Sequence, residues 1–241
     1  MSIIHKLSAA EDRLLALYRD GSVLLFSKSW RRLCLQSSDQ EKSGRASHVS
    51  VGRQTLAACD SDGHLLSLDA VPTPAGEHVV LVSCGREHVV LLTRSGRVYT
   101  YGCGSRGQLG SGGLDAAETP QLVQALDGLP IQQVAAGGWH TAAVSTSGDV
   151  YTWGWNESNQ LGLGDDVNVA PEPTLVEALP VDKNVRQVAC GTRHTLALLD
   201  DGAVLGWGWN AYGQLAGPRR ARASHSAARA HAERTVTATR L

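Results

Sequence analysis

The sequence predicts an all-β fold, an incomplete and open β-propeller, and three observations carry that expectation. The first is a long internal repeat: "VSCGREHVVLLTRSGRVYTYGCGSRGQLG" from Val82, "VAAGGWHTAAVSTSGDVYTWGWNESNQLG" from Val134 and "VACGTRHTLALLDDGAVLGWGWNAYGQLA" from Val188 superimpose without gaps. The second is an Asp-Gly or Ser-Gly dipeptide between two apolar runs, at Asp20-Gly21, Asp62-Gly63, Ser95-Gly96, Ser147-Gly148 and Asp201-Gly202. Such a dipeptide supplies the positive φ that a tight hairpin needs. The third is the period, 52 and then 54 residues between successive repeats, enough chain for about four short strands or one propeller blade.

Each repeat is expected to run as strand, turn and strand. It opens on Gly-x-x-His, with Gly85, Gly137 and Gly191 equivalent and His88, His140 and His194 equivalent. The glycine follows a small residue, Cys84, Ala136 or Cys190, which fits close packing near a crowded axis. After the second strand, Gly107, Asn159 and Gly213 share a turn position, and Gly and Asn are the residues most tolerant of left-handed backbone. Polar connections then lead to "PQLVQAL" and "PTLVEAL", which can supply further extended backbone. Upstream the eleven-residue spacing persists without the histidine, from Gly52 to Gly63 and from Ala10 to Gly21. The organisation expected is therefore two degenerate hairpins in residues 1–80, three full repeats in 81–216 and a basic tail in 217–241.

Bulk composition narrows the function. The 241 residues, 42% of them hydrophobic, can bury a substantial core. Six of the 22 basic residues but only one of the 23 acids lie after Ala216, so the body carries −6 and the last 25 residues +5. An acidic body is a poor nucleic-acid glove. The N-terminus lacks the pattern of a secretory signal, and no run of about 18 apolar residues occurs, so the chain is expected to be soluble and unsecreted, with no membrane partner. Five cysteines, Cys34, Cys59, Cys84, Cys103 and Cys190, form no C-x-x-C pair and suit free thiols in a reducing compartment.

Residues 134–144 and 188–198 resemble the repeat signature of the regulator of chromosome condensation family, and 82–92 departs from it at Val89. The resemblance covers 82–216 well and 10–81 loosely; "GGWH" combined with "WGWNES" is similar to a small single-propeller branch. Members fold as seven-bladed propellers, and five hairpins cannot complete such a ring. The resemblance implies a non-enzymatic, chromatin-associated scaffold. It also implies work in mitotic chromosome segregation and in histone-methylation control, with a Jumonji-type oxygenase as partner. The nucleus is the implied location, with the cytoplasm as a second one. The alternative it implies is guanine nucleotide exchange on a Ran-like small GTPase. That activity needs an inserted β-wedge, whereas the connections between full repeats are similar in length.

Candidate sites follow from repeat position. Three equivalent histidines suggest a metal, but blades radiating from an axis hold equivalent side chains apart, and no carboxylate or cysteine recurs at a fixed offset. The histidines are read as structural, with no metal, cofactor or small-molecule substrate expected. "GCGSRG" at 102–107 matches G-x-G-x-x-G but does not open a helix, so a dinucleotide site is set aside. Tyr101, Trp153 and Trp207 are expected in the blade core. Cys103, Trp155 and Trp209 come two places later, and strand alternation puts both members of each Trp-Gly-Trp on one face. Trp155 and Trp209 either pack between blades or serve recognition, for which Trp and Arg are the usual anchors. Trp139 and Arg193, with Glu87 as the third member, occupy the variable position beside the histidine. Trp139, Trp155, Trp209 and Arg193 are the partner-binding candidates. The tail is either a disordered basic segment that touches phosphates or an acidic patch, or a product of altered transcript or reading frame.

Overall fold

The computed structural model describes residues 4–10, 13–26, 30–33, 45–67, 71–215 and 237–239 of the chain. They form five antiparallel sheets, each following chain order from the inside outwards. Blade 1 contains β1 (Ile4–Ala10), β2 (Arg13–Tyr18), β3 (Val23–Phe26) and β4 (Trp30–Leu33); blade 2 contains β5 (Ala46–Val51), β6 (Leu56–Asp60) and β7 (Leu65–Leu66). Blade 3 contains β8 (Val79–Cys84), β9 (His88–Thr93), β10 (Val98–Gly102) and β11 (Ala117–Leu122); blade 4 contains β12 (Ile131–Ala136), β13 (His140–Ser145), β14 (Val150–Trp155) and β15 (Val169–Leu175). Blade 5 contains β16 (Val185–Cys190), β17 (His194–Leu199), β18 (Val204–Gly208) and β19 (Thr237–Thr239). The architecture is an open all-β propeller, and the two degenerate hairpins have become sheets in their own right.

The turn glycines explain the hairpins. Gly21, Gly63, Gly96, Gly148 and Gly202 all have positive φ, between 78° and 90°, where a side chain is strained. Asn159, at φ 57°, is the one non-glycine with positive φ among the described residues, at the position expected to tolerate it. Of the segment expected to be a disordered tail, Thr237–Thr239 fall among the described residues, where they pair antiparallel with Val204–Gly206.

Stability resides between blades. Four apolar clusters occupy the four interfaces in turn: Leu15 and Leu17 against Val49 and Ala58, Cys59 and Leu65 against Val82 and Leu91, Val90 and Leu92 against Val134 and Trp153, and Val144 and Val150 against Val188 and Trp207. The inner edges are stitched by serines. Ser8 accepts the Val51 amide at 3.1 Å, Ser50 the Cys84 amide at 2.9 Å and Ser83 the Ala136 amide at 2.9 Å. At the fourth interface Ala135 stands in the serine position, and Gln133 takes over by bonding both the amide and the carbonyl of Val188.

Candidate functional site

The Gly-x-x-His motif has a direct steric cause. A Cβ added to Gly85, Gly137 or Gly191 would collide with the imidazole of His88, His140 or His194, which folds back onto the glycine. A bare backbone at that point lets the rings of His88 and His140 reach across to the next blade. His88 Nε2 meets Thr141 Oγ1 at 3.0 Å, and that hydroxyl donates to the Gln108 carbonyl at 2.9 Å. The hydroxyl proton is therefore committed, so the imidazole donates from Nε2–H. The indole of Trp153 donates to the same carbonyl at 3.0 Å. One blade further on, His140, Thr195, Gln160 and Trp207 repeat the arrangement at 3.0, 2.8 and 2.9 Å.

Burial pushes both His88 and His140 down to about 3, with His88 and His194 adding to the effect on His140. Each is bound to a different neighbouring blade, and their Nδ1 atoms have no hydrogen-bond partner. Burial likewise lifts the Cys59 and Cys84 thiols to about 11 and Cys190 to about 12, far from the thiolate a nucleophile needs. Cys59, Cys84, Cys103 and Cys190 are all free thiols, while Cys34 lies outside the described residues. The acidic cluster Asp60, Asp62 and His64 has metal-like spacing, but it forms a hairpin turn in which Asp60 accepts the Asp62 and His64 amides and meets the His64 ring.

The four partner-binding candidates lie on one face. The loop carbonyls of Trp139 and Arg193 accept the amides of Trp155 and Trp209, each at 2.8 Å, which fixes β13's and β17's leading loops against the ends of the third strands. Trp139 and Trp155 pack edge to face with ring centroids 5.3 Å apart. Arg86 lies 4.5 Å from the centre of Trp139, while Arg106 and Arg193 lie 4.7 and 4.9 Å from that of Trp155. Arg193 continues to Trp209 at 5.9 Å, and Trp209 packs on Tyr212. Glu87 receives the Trp139 indole N–H at 3.1 Å, and Glu157 pairs with Arg193 at 3.3 Å. The result is a ladder of guanidiniums and indoles across blades 3, 4 and 5, half-buried at Arg86, Trp139, Trp155, Arg193 and Trp209, exposed at Arg106, and ending on Tyr212, 76% exposed.

One expectation is corrected. Trp153 and Trp155 do not present side by side: Trp153 is fully buried against blade 3, while Trp155 is half-buried on the ladder. Gly154, at φ 104°, takes backbone that breaks the strand's regular alternation, and Gly208 does the same at 106°. The contributions of Arg86, Arg106 and Tyr212 were missed, because guanidiniums and rings from different repeats meet only once the blades are docked. The Arg86-Glu87 dipeptide, which includes the variable position, was the available signal.

The repeat profile described as Regulator of chromosome condensation (RCC1) repeat matches residues 95–144 and 147–198, and a second profile of the same description matches 79–108, 131–160 and 185–214. The RCC1 domain-containing protein 1 of Mus musculus is 39% identical over 166 residues, 54% of this chain and 44% of that protein. The chain thus spans less than half the length of that relative. Among solved structures, human WBSCR16 superposes with a TM-score of 0.75 at 23% identity, over 87% of this chain and 62% of that one. Prp20p from Saccharomyces cerevisiae, whose structure was reported with its binding to Gsp1p and histones, superposes with a TM-score of 0.73 at 20% identity, over 88% and 58%. These two likenesses establish the fold. Matched repeats running from residue 79 to 214, more than half of the sequence, place this chain in the regulator of chromosome condensation (RCC1) repeat family.

Proposed function

We propose that the chain is a non-catalytic protein-interaction module whose partner docks on the arginine and tryptophan ladder formed by Trp139, Trp155, Arg193 and Trp209. The observation that carries the reading is the ladder itself. Half-exposed indoles held rigid by guanidiniums offer large amphipathic area at small entropic cost, the composition of interface hot spots. The catalytic alternatives are weak, since the imidazoles of His88 and His140 are enclosed and kept neutral by burial and the buried thiols are far from ionising. Family resemblance supports a finer reading: a nuclear, chromatin-associated role in chromosome segregation and histone-methylation control, with a Jumonji-type oxygenase as partner. The second reading, nucleotide exchange on a Ran-like GTPase, is supported by the fold likeness to Prp20p, a protein reported to bind Gsp1p.

The test compares wild type with Trp155→Ala and Trp209→Ala for binding to a purified Jumonji-type oxygenase. At least a tenfold loss of affinity with a stability change below about 1 kcal/mol is expected. A large stability loss with unchanged binding would assign these rings to the core. Acceleration of nucleotide release from a Ran-like GTPase would favour the exchange reading instead.

A further inference from the structure

Three turns of one design carry three different side chains. After the third strand of blades 3, 4 and 5 the chain turns through "GSRGQLG", "NESNQLG" and "NAYGQLA". In each, a glutamine side chain clasps the amide two residues before it. Gln108 Oε1 accepts the Arg106 amide at 2.8 Å, Gln160 Oε1 that of Ser158 at 2.8 Å and Gln214 Oε1 that of Tyr212 at 3.0 Å. The residue between, Gly107, Asn159 or Gly213, is left-handed in all three, with φ of 73°, 57° and 82°. The repeat therefore fixes the backbone of this turn and leaves the side chain at the clasped position unconstrained, so it reads Arg, Ser and Tyr in successive blades.

In blade 3 that side chain is exposed, and its guanidinium carbon lies 4.7 Å from the ring centre of Trp155 in the next blade. The Arg106 guanidinium makes no hydrogen bond and no ion pair among the described residues. Its neighbours on the ladder differ. Arg193, 4.9 Å from the same ring, is paired with Glu157 at 3.3 Å, and Glu87 receives the Trp139 indole N–H at 3.1 Å. The indole attracts the charge of Arg106 through its π face and accepts none of the in-plane N–H bonds that a guanidinium offers. Arg106 is thus a cation held on a pinned backbone and against a half-buried ring, with its donor fork unspent.

We propose that Arg106 anchors a carboxylate-binding site, where an acidic segment of a partner protein sets an Asp or Glu side chain against the guanidinium beside Trp155. The assignment rests on the ladder being a docking surface and adds the chemistry of what docks there. A planar fork matches a carboxylate in two parallel bonds, and the contact with Trp155 reduces the rotamer freedom lost on capture. The pair of Arg193 with Glu157 shows that a carboxylate and this indole can share one guanidinium. A singly charged carboxylate suits the site better than a phosphate dianion, because Glu87 and Glu157 stand on the same ladder and repel the second charge. The body as a whole carries −6, so an acidic segment is repelled by most of the surface and directed to this turn by local charge.

The probe is the fluorescein-labelled peptide Gly-Ser-Glu-Asp-Glu-Ser-Gly, titrated with the full chain at low ionic strength. A saturable rise in anisotropy that fades with added salt is expected. The amide peptide Gly-Ser-Gln-Asn-Gln-Ser-Gly and the variant Arg106→Gln are each expected to weaken binding at least about tenfold. Arg106→Lys should recover only part of the loss, since an ammonium keeps the charge without the fork. Arg94→Gln removes the same charge from the opposite end of blade 3, where Arg94 bonds His78, and should leave binding unchanged. A flat titration overturns the proposal, as do an equal loss with Arg94→Gln, unchanged binding by Arg106→Gln, or tighter binding of Gly-Ser-Gly-phosphoserine-Gly-Ser-Gly. Trp155→Ala against the oxygenase tests the docking surface separately: loss there beside a flat peptide titration keeps the ladder as an interface and removes the carboxylate site.

Discussion

β13 and β17 carry the same repeat, yet all six residues of β13 are buried whereas those of β17 alternate between half-buried and buried. The difference lies in the neighbours. β13 is packed between blades 3 and 5, so both of its faces are covered. β17 has blade 4 on one side, and on the other no described blade covers His194, Leu196 and Leu198. A propeller strand therefore has no burial of its own. Its sequence prepares two faces, and each becomes core only when the next sheet arrives. His140 reaches Thr195 in the following blade, while the equivalent His194 meets no threonine among the described residues and is half-buried.

Acid should break this comparison most strongly. The folded-state pKa of His88 and of His140 is depressed to about 3 by burial, while an unfolded histidine titrates near 6.5. Between those values the unfolded chain binds more protons, so their stabilising contribution is complete above about pH 6.5 and is lost as pH falls towards 3, by up to about 1.4 kcal/mol per pH unit for each ring. Urea unfolding from pH 7 to 4 is expected to show this slope. His194, half-buried and lowered by desolvation alone, contributes less, so His194→Gln should leave most of the acid limb in place.

The next largest effect separates the two tryptophans of blade 4. Trp153→Ala removes a fully buried ring and its bond to Gln108 and is expected to cost about 3–5 kcal/mol in chemical denaturation. Trp155→Ala, on the ladder, is expected to cost less than about 1 kcal/mol. His140→Ala should follow, at about 2–3 kcal/mol, because it opens a cavity and strands Thr195. His194→Ala should cost less than half of that. Equal costs for the two histidines would show that blade 5 is covered in solution by something beyond the described residues.

The smallest effect sharpens the comparison at the inner edge. Ser83→Ala leaves the Ala136 amide without its acceptor and is expected to lower stability by about 1 kcal/mol. Ala135→Ser, at the interface where Gln133 already bonds Val188, should change it little.

Much of the fold was legible because its signals are local. Asp-Gly and Ser-Gly pairs needed only the preference of glycine for positive φ, and Asn159 was placed by the same rule. The sheets of blades 1 and 2 were foreshadowed by their hairpins, although without the histidine their outer strands had no mark in the repeat. The candidate residues Trp139, Trp155, Trp209 and Arg193 were singled out by comparing repeats, and they do meet. Arg86 and Arg106 escaped notice since each guanidinium finds its indole far along the chain, Arg86 at Trp139 and Arg106 at Trp155. The placement of Trp155 was misjudged because Gly154, at φ 104°, departs from the period-two rule.

Sequence alone determined the number of sheets, their turns and the enclosure of glycine and histidine within a repeated structural unit, since each depends on backbone preferences within about fifteen residues. Tertiary structure decided which repeated side chains became core and which became surface. Those outcomes depend on the blade next door, and a repeat written three times in one chain says nothing about which of its copies stands last in the row.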